Sequence, residues 1–334
     1  MKFGALLGAV AVAILVAWML ATEGAAWRIL DLIGHAGWLG LTAVVAFHFI
    51  QLVFSAAAWR VLSGPTTPQP GLGFYMVARW IREAVNNLLP VAQIGGEFVG
   101  ARLLHRRGIK LSTAIAAAVG DLTVEMLTQI AFTVLGLGVL LLTVGDGEIA
   151  RVVAGLLVVA LAVAIAFVTA QWAGLAHLIE VGMMRLGRMI GWHGFGEEPG
   201  LHAALIAIYR AWPRLLRAAL YHFVSWLLGS VEVCLALHLL GHDVDLSAGL
   251  VIESLGQALK AVGFAVPGAL GIQEGGYIVV CGLYGLSPEV AIALSLVKRL
   301  REIALGLPGL AAWQWLEARP AAAKASLPSS GASR

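Results

Sequence analysis

The sequence predicts an all-α polytopic integral membrane protein: an inverted-topology repeat with about six spanning helices and two opposed re-entrant hairpins broken by Pro and Gly. Three observations carry that expectation: the composition, the length of the apolar runs, and a self-match at a fixed offset. The 334 residues are 60% hydrophobic and 12% charged, with a mean hydropathy of +0.89. A soluble domain carries about 25% charged residues. The shortfall excludes nucleic-acid binders, secreted disulfide scaffolds and disordered chains, and leaves helices that live in lipid. The runs are solidly apolar, where a transmembrane β-barrel would alternate. Cys234 and Cys281 both lie inside such runs, so neither a disulfide framework nor a cysteine zinc site is expected.

Taken in order, residues 1–37 hold an N-terminal membrane helix, Phe3–Ala21, and an outer loop. Lys2 ahead of it resembles the start of a signal peptide. The run is longer than a usual signal core and ends in Ala21-Thr22-Glu23, a poor cleavage site, so the helix is expected to stay. Residues 38–170 form the first repeat, with spans Trp38–Ala58, Ser112–Leu142 and Ile149–Ala170 around a broken stretch, 71–104, interrupted at Pro90. Residues 171–214 form an inner-face interfacial connection, divided by Gly194-Phe195-Gly196-Glu197-Glu198-Pro199-Gly200. Residues 215–315 form the second repeat, with spans Leu215–Leu240 and Glu289–Trp315 around a stretch, 247–284, broken at Pro267. Each half of a broken stretch is too short to cross alone, so both read as hairpins that enter the membrane and turn back. Residues 316–334, rich in Ala, Ser and Pro, predict a disordered cytoplasmic tail.

Lys and Arg set the orientation. With the N-terminus in the cytoplasm, thirteen basic residues fall on the inner side, against Arg28 and Arg151 outside. The expected location is therefore a bacterial cytoplasmic (inner) membrane, crossed several times, with both termini cytoplasmic. One hairpin then opens to each side.

An offset of 177 residues superposes Pro90 on Pro267, Glu97 on Glu274, Gly108 on Gly285 and Glu125 on Glu302. Matches among alanines are cheap in such a chain. A proline and two glutamates inside the membrane at one offset are not. With the hairpins opening to opposite sides, this is the plan of many secondary transporters, whose site lies where the broken segments meet.

A charge in hydrocarbon costs about 2.5–3.5 kcal/mol on insertion scales, so charged groups here must face a cavity or a partner. Glu97 and Glu274 follow the two breaks and can either bind a ligand or cap the second half-helix. Arg79, Arg82, Glu83 and Asn86 share one face of the first half-helix; Glu253, Gln257 and Lys260 share one face of its counterpart. Arg79–Glu83 has the i,i+4 spacing of an internal pair. Asp121, Glu125 and Gln129 form a stripe that the offset sets against Lys298, Arg299, Arg301 and Glu302. These predict either a salt-bridge zipper across the pseudo-twofold, Asp121 with Lys298, or gates that make and break. Glu232 and His238 are weaker candidates. Gly-x-Ser-x-Gly, His-Glu-x-x-His and Walker motifs are absent, so no enzyme, cofactor or metal is expected. His238-x4-Asp243 is an isolated match to an acyltransferase pair, at the outer end of a span.

Pro90-Val91-Ala92-Gln93-Ile94-Gly95-Gly96-Glu97-Phe98-Val99-Gly100-Ala101-Arg102-Leu103-Leu104 resembles the first signature of the lysylphosphatidylglycerol synthase transmembrane-region (flippase domain) family. Pro267-Gly268-Ala269-Leu270-Gly271-Ile272-Gln273-Glu274-Gly275-Gly276 is similar to its second. The segments 79–90 and 295–302 look like the hopanoid-associated HpnL branch. In place of the Glu-Arg and later Asp that many members carry after the first signature, this chain has Asp121 and Glu125.

The resemblance implies a membrane lipid flippase, and its branch implies hopanoids with polyol or amine heads. On that basis Arg79, Arg82, Glu83, Asn86, Glu97, Arg102 and Glu274 are expected to bind the head group. Asp121, Glu125, Lys298, Arg301 and Glu302 are expected to gate or pair. The alternatives are a proton- or ion-coupled small-solute transporter, an intramembrane enzyme acting on a lipid head, and a non-transporting partner of hopanoid biosynthesis enzymes. Expected partners are a hopanoid-like membrane lipid, hopanoid biosynthesis or export proteins and a second copy of the chain through Gly4-x3-Gly8, with no nucleic acid.

Overall fold

The computed structural model describes residues 25–65, 69–89, 95–144, 201–262 and 272–318, with single positions between 148 and 169. The expected helix Phe3–Ala21, the breaks at Pro90 and Pro267, residues 171–200 and the tail from 319 lie outside the described residues. The described segments form nine helices: α1 (Ala25–Leu62), α2 (Leu72–Leu88), α3 (Gly95–Arg106), α4 (Leu111–Val144), α5 (Leu201–Arg210), α6 (Trp212–Leu239), α7 (Leu246–Val262), α8 (Ile272–Gly282) and α9 (Pro288–Ala318). No strand occurs among the described residues.

Three stretches are long and apolar enough to cross a membrane: Asp31–Leu62, Leu111–Thr143 and Trp212–Leu239. They cover the spans expected from Trp38, Ser112 and Leu215. Gly37, at φ 60, breaks α1 just ahead of Trp38. Pro213 sits in the first turn of α6, where its missing N–H costs nothing. Helix α9 has 31 residues but carries Lys298, Arg299, Arg301 and Glu302 at mid-length. Residues 201–210 pack on α4 through buried Leu201, Leu205 and Ile208.

The 177-residue offset recurs in the helix boundaries. Helix α3 starts at Gly95 and α8 at Ile272; α4 starts at Leu111 and α9 at Pro288. The turns repeat as well, with Gly64 and Gly241 at φ 69 and 82, and Gly108 and Gly285 at φ 90 and 73. Left-handed backbone of this kind suits a residue without Cβ. Helix α2 lies on α3 as α7 lies on α8, α4 crosses α7 as α9 crosses α2, and α1 packs along α6. Small residues make the two crossings close. A Cβ built at Gly309 of α9 would come 2.7 Å from Ala84 Cβ on α2, and one at Gly136 of α4 would come 2.8 Å from Ser254 Cβ on α7.

Two apolar cores result. The first gathers α2, α3 and α5 with the C-terminal end of α1 and the N-terminal ends of α4 and α6, around Trp59, Tyr75, Ile81, Leu104 and Ala117. The second gathers α7 and α8 with the opposite ends of α4 and α6 and the start of α9, around Leu137, Leu237, Ile252, Tyr277 and Leu294. The long helices run from one core to the other, and their charged residues fall between.

Candidate functional site

A cavity of about 260 Å³ occupies that middle zone. Polar side chains reach it from seven helices: His48, Gln51 and Ser55 from α1, Arg79, Arg82, Glu83 and Asn86 from α2, Glu97 from α3, and Glu125 and Gln129 from α4. His222, Ser225 and Trp226 of α6, Glu253, Gln257 and Lys260 of α7, and Arg301 and Glu302 of α9 close it.

The first half of the chain builds one charge cluster. Arg79 Nε donates to Glu83 Oε1 at 2.9 Å, so the i,i+4 pair forms. Its Nη1 reaches Asp121 Oδ2 at 3.2 Å and Glu125 Oε2 at 2.9 Å, and its Nη2 bonds the other Glu125 oxygen. Arg82, one turn on, donates from Nε to Glu97 Oε1 at 2.6 Å, from Nη1 to Asp121 Oδ2 at 2.6 Å, and from Nη2 to Glu125 Oε2 at 3.1 Å. Its guanidinium lies 5.3 Å from the Trp59 ring centre, a cation–π contact that fixes its plane. The start of α3 docks here because the Gly96 N–H donates to Asn86 Oδ1 at 2.7 Å, and a Cβ at Gly96 would overlap the Arg82 carbonyl. Glu97 Oε2 is buried with no hydrogen-bond partner.

The second half builds another cluster, in which both α7 and α9 carry a cation and a carboxylate. Glu253 of α7 accepts from Lys298 of α9 and from Gln257 Nε2 at 2.8 Å. Lys260 Nζ donates to Glu302 Oε1 at 2.6 Å. Arg301 bonds Glu232 of α6, which also accepts from Gln51 Nε2 at 2.6 Å.

Several expectations are corrected. Asp121 and Lys298 do not pair: Asp121 belongs to Arg79, Arg82 and His222, and Lys298 to Glu253. The reason is the packing, since α4 lies on α7 and α9 on α2. Glu274 does not line the cavity as Glu97 does. It accepts from Arg299 Nε at 2.8 Å and Ser295 Oγ at 3.2 Å, and Arg299 stands where the offset puts Leu122 in the first half. Arg102 is likewise outside, donating to Glu317 from Nε at 2.8 Å and Nη2 at 3.1 Å, with Arg106 Nη1 on the same carboxylate at 2.8 Å. Burial would raise the Glu317 carboxyl, but the Arg102 bond and the Arg106 charge hold it below its ordinary value. His238 Nδ1 meets Asp243 Oδ1 at 2.6 Å, but both side chains are exposed and stand apart from the cavity.

The sequence reading missed His48, Gln51 and His222. Their signal is a polar stripe in otherwise apolar spans: positions 48, 51 and 55 on α1, and 222, 225 and 232 on α6, at helical spacing. Asp121, Glu125 and His222 bring ligand atoms within 4.8 Å of one another, a spacing a metal could use. Both carboxylates already accept from two guanidinium groups, so an added cation would have to expel arginines. The donor set does not fit a metal.

Apolar helices of spanning length around a buried, charge-lined cavity define an integral membrane protein with a polar site at its centre. The chain belongs to the family of the lysylphosphatidylglycerol synthase TM region, which it matches over residues 5–309. A UPF0104 membrane protein of Methanothermobacter thermautotrophicus is 25% identical over 287 residues, covering 77% of this chain and 79% of its own. No solved structure matches.

Proposed function

We propose that the protein is a membrane lipid translocator that takes a polar head group into the cavity, leaves the hydrocarbon outside, and alters no covalent bond. The charge-lined cavity carries this reading. At about 260 Å³ it lies below the ~300–1,000 Å³ of pockets that bury a drug-sized ligand, so it suits a head group and not a whole lipid. Arginine, lysine, amide and carboxylate groups line it together, a set that can both donate to and accept from an amine or polyol head. Glu97 Oε2, buried without a partner, offers such a head an acceptor. An apolar crevice of about 710 Å³ runs between α1 and α9, and Arg301 lines both it and the cavity. That is a lateral opening of the kind a trailing hydrocarbon needs.

Family membership supports a lipid as cargo, and the hopanoid-associated signatures make a hopanoid our choice of lipid. The two cores at opposite ends of the long helices support an inverted-topology repeat, with α2–α3 and α7–α8 as re-entrant hairpins from opposite faces. The length of the apolar runs favours six spans, and the basic-residue bias favours an inner-membrane location with cytoplasmic termini. A second copy of the chain and hopanoid enzymes remain the partners we propose.

The test is transbilayer movement of a labelled amine- or polyol-headed hopanoid in proteoliposomes, with the lipid recovered and weighed by mass spectrometry. The wild type is expected to move the lipid unchanged, and Glu97→Gln to slow it about tenfold, the worth of one charge-assisted bond. A chemically altered lipid, or no wild-type movement, refutes the proposal.

A further inference from the structure

The two charge clusters differ in their balance of charge. Among the described residues, the second sets Lys260, Lys298 and Arg301 against Glu232, Glu253 and Glu302, and is neutral. The first sets Arg79 and Arg82 against Glu83, Glu97, Asp121 and Glu125, and is two positive charges short. His48 lies between the clusters, with Nδ1 3.2 Å from Glu232 Oε2 and Nε2 3.4 Å from Glu83 Oε2. A ring protonated on both nitrogens there supplies one charge and no more. His222 needs only the single N–H of a neutral ring for its 2.9 Å contact with Asp121 Oδ1. At least one buried carboxylate is therefore left without a counter-charge from the protein, and a buried charge in that condition is costly.

The shortage falls at Glu97. Glu83, Asp121 and Glu125 are bonded through both of their carboxylate oxygens. Glu97 is bonded through Oε1 alone, to Arg82, and Arg82 is shared with Asp121 and Glu125. Glu97 is 4% exposed, lines the cavity, and has no partner at Oε2. The repeat supplies a comparison. Glu274, the equivalent of Glu97 under the 177-residue offset, accepts from Ser295 Oγ and Arg299 Nε. The matching positions in the first half are Ala118 and Leu122, which bring neither a charge nor a hydrogen bond, and Leu122 lines the cavity. Where the second half sets a guanidinium against its glutamate, the first half sets an apolar wall beside a space.

We infer that the cavity takes one monovalent cation beside Glu97: the ammonium group of a lipid head, or a sodium or potassium ion that accompanies an uncharged head. The inference rests on the lipid-translocation reading above for its lipid, and adds the charge that the cargo must bring. A neutral polyol head alone leaves the carboxylate unbalanced, whereas one positive charge at Oε2 completes the cluster. The site is single, because Arg299 already stands at the equivalent place in the second half.

The first test needs no lipid movement. Thermal unfolding of the protein in detergent is followed at constant ionic strength in tetraethylammonium chloride, a bulky cation with no N–H to donate. Sodium, potassium or methylammonium chloride then replaces it. The wild type is expected to gain a few degrees in its unfolding midpoint with at least one of the three. Glu97→Gln removes the unbalanced charge, and Leu122→Arg supplies a cation where the second half holds Arg299. Each is expected to lose the gain. A wild type indifferent to all three salts overturns the inference, and so does an equal gain in whichever variant folds. A gain with methylammonium alone assigns the cation to the lipid head; a gain with sodium or potassium assigns it to an inorganic ion.

Proteoliposomes then test the link to transport. If the cation is the head, an amine-headed lipid is expected to move about tenfold faster than a polyol-headed one, and no faster in Glu97→Gln. If it is inorganic, movement of the polyol-headed lipid is expected to fall about tenfold when tetraethylammonium replaces sodium or potassium. Movement indifferent to both head charge and salt overturns the inference and leaves translocation standing. No movement of either lipid refutes translocation and leaves the cation site to the unfolding result.

Discussion

Replacing Arg82 with Met tests how the cavity is held. The side chain is 2% exposed and donates three charge-assisted bonds, to Glu97, Asp121 and Glu125. Each such bond is worth about 1.5–3 kcal/mol, but the three losses are unequal. Asp121 and Glu125 keep Arg79. Glu97 loses its cation and is left as a buried carboxylate with both oxygens unpaired. The expected cost is that of breaking one buried pair, about 3–5 kcal/mol, and not three bonds' worth. Arg82→Lys keeps the charge without the fork and should lose about half as much. Adding Glu97→Gln to Arg82→Met removes the stranded charge and should recover about 1–3 kcal/mol. Denaturant titration in mild detergent, read by circular dichroism, gives the three values. A double variant less stable than Arg82→Met alone refutes the argument, because Glu97 would then not be a carboxylate that depends on Arg82.

Gly309→Val forces atoms against Ala84, 2.7 Å from the built Cβ, and should cost about 1–3 kcal/mol in the same titration, whereas Gly138→Ala meets nothing within 4 Å and should be neutral. Asp245, in the turn before α7, accepts from the Ala248 N–H at 2.7 Å and Ser247 Oγ at 2.9 Å. These bonds hold its carboxyl below the ordinary value of 3.8. Their stabilisation is therefore present above that pH and lost as pH falls through the lower folded value. Asp245→Ala should cost about 1 kcal/mol at pH 7, with the difference from wild type vanishing in acid.

The parts of the fold set by local chemistry were legible in the sequence. Apolar length placed α1, α4 and α6, and the 177-residue offset aligned Gly108 with Gly285, which stand in matching turns. Partner choice was not legible in the same way. The offset aligns Asp121 with Lys298, but residues equivalent under a repeat meet only where their helices pack together, and α4 and α9 pack on other helices. Glu97 and Glu274 are equivalent by position yet differ in setting, because Arg299 occupies the second half where Leu122 occupies the first. His48 and His222 were passed over because a short stripe of uncharged polar residues in an apolar run carries little signal until its neighbours across the bundle are known.

The closure of these pairs within each half has an energetic reason. The first half sets arginines on α2 against carboxylates on α4, and the second pairs Glu253 and Lys260 of α7 with Lys298 and Glu302 of α9. Had the acidic helix of one half paired with the basic helix of the other, as the aligned stripes suggest, each relative movement would separate buried ions. That costs about 3–5 kcal/mol for every pair opened. Closing these two clusters each within its own half removes that penalty at the cavity and still keeps a charged cavity open to a polar ligand. Beside the cavity the halves meet through lighter contacts, such as Ser55–Ser225 at 3.2 Å, while the arginine pairs that do cross, Arg102 and Arg106 with Glu317, lie outside it.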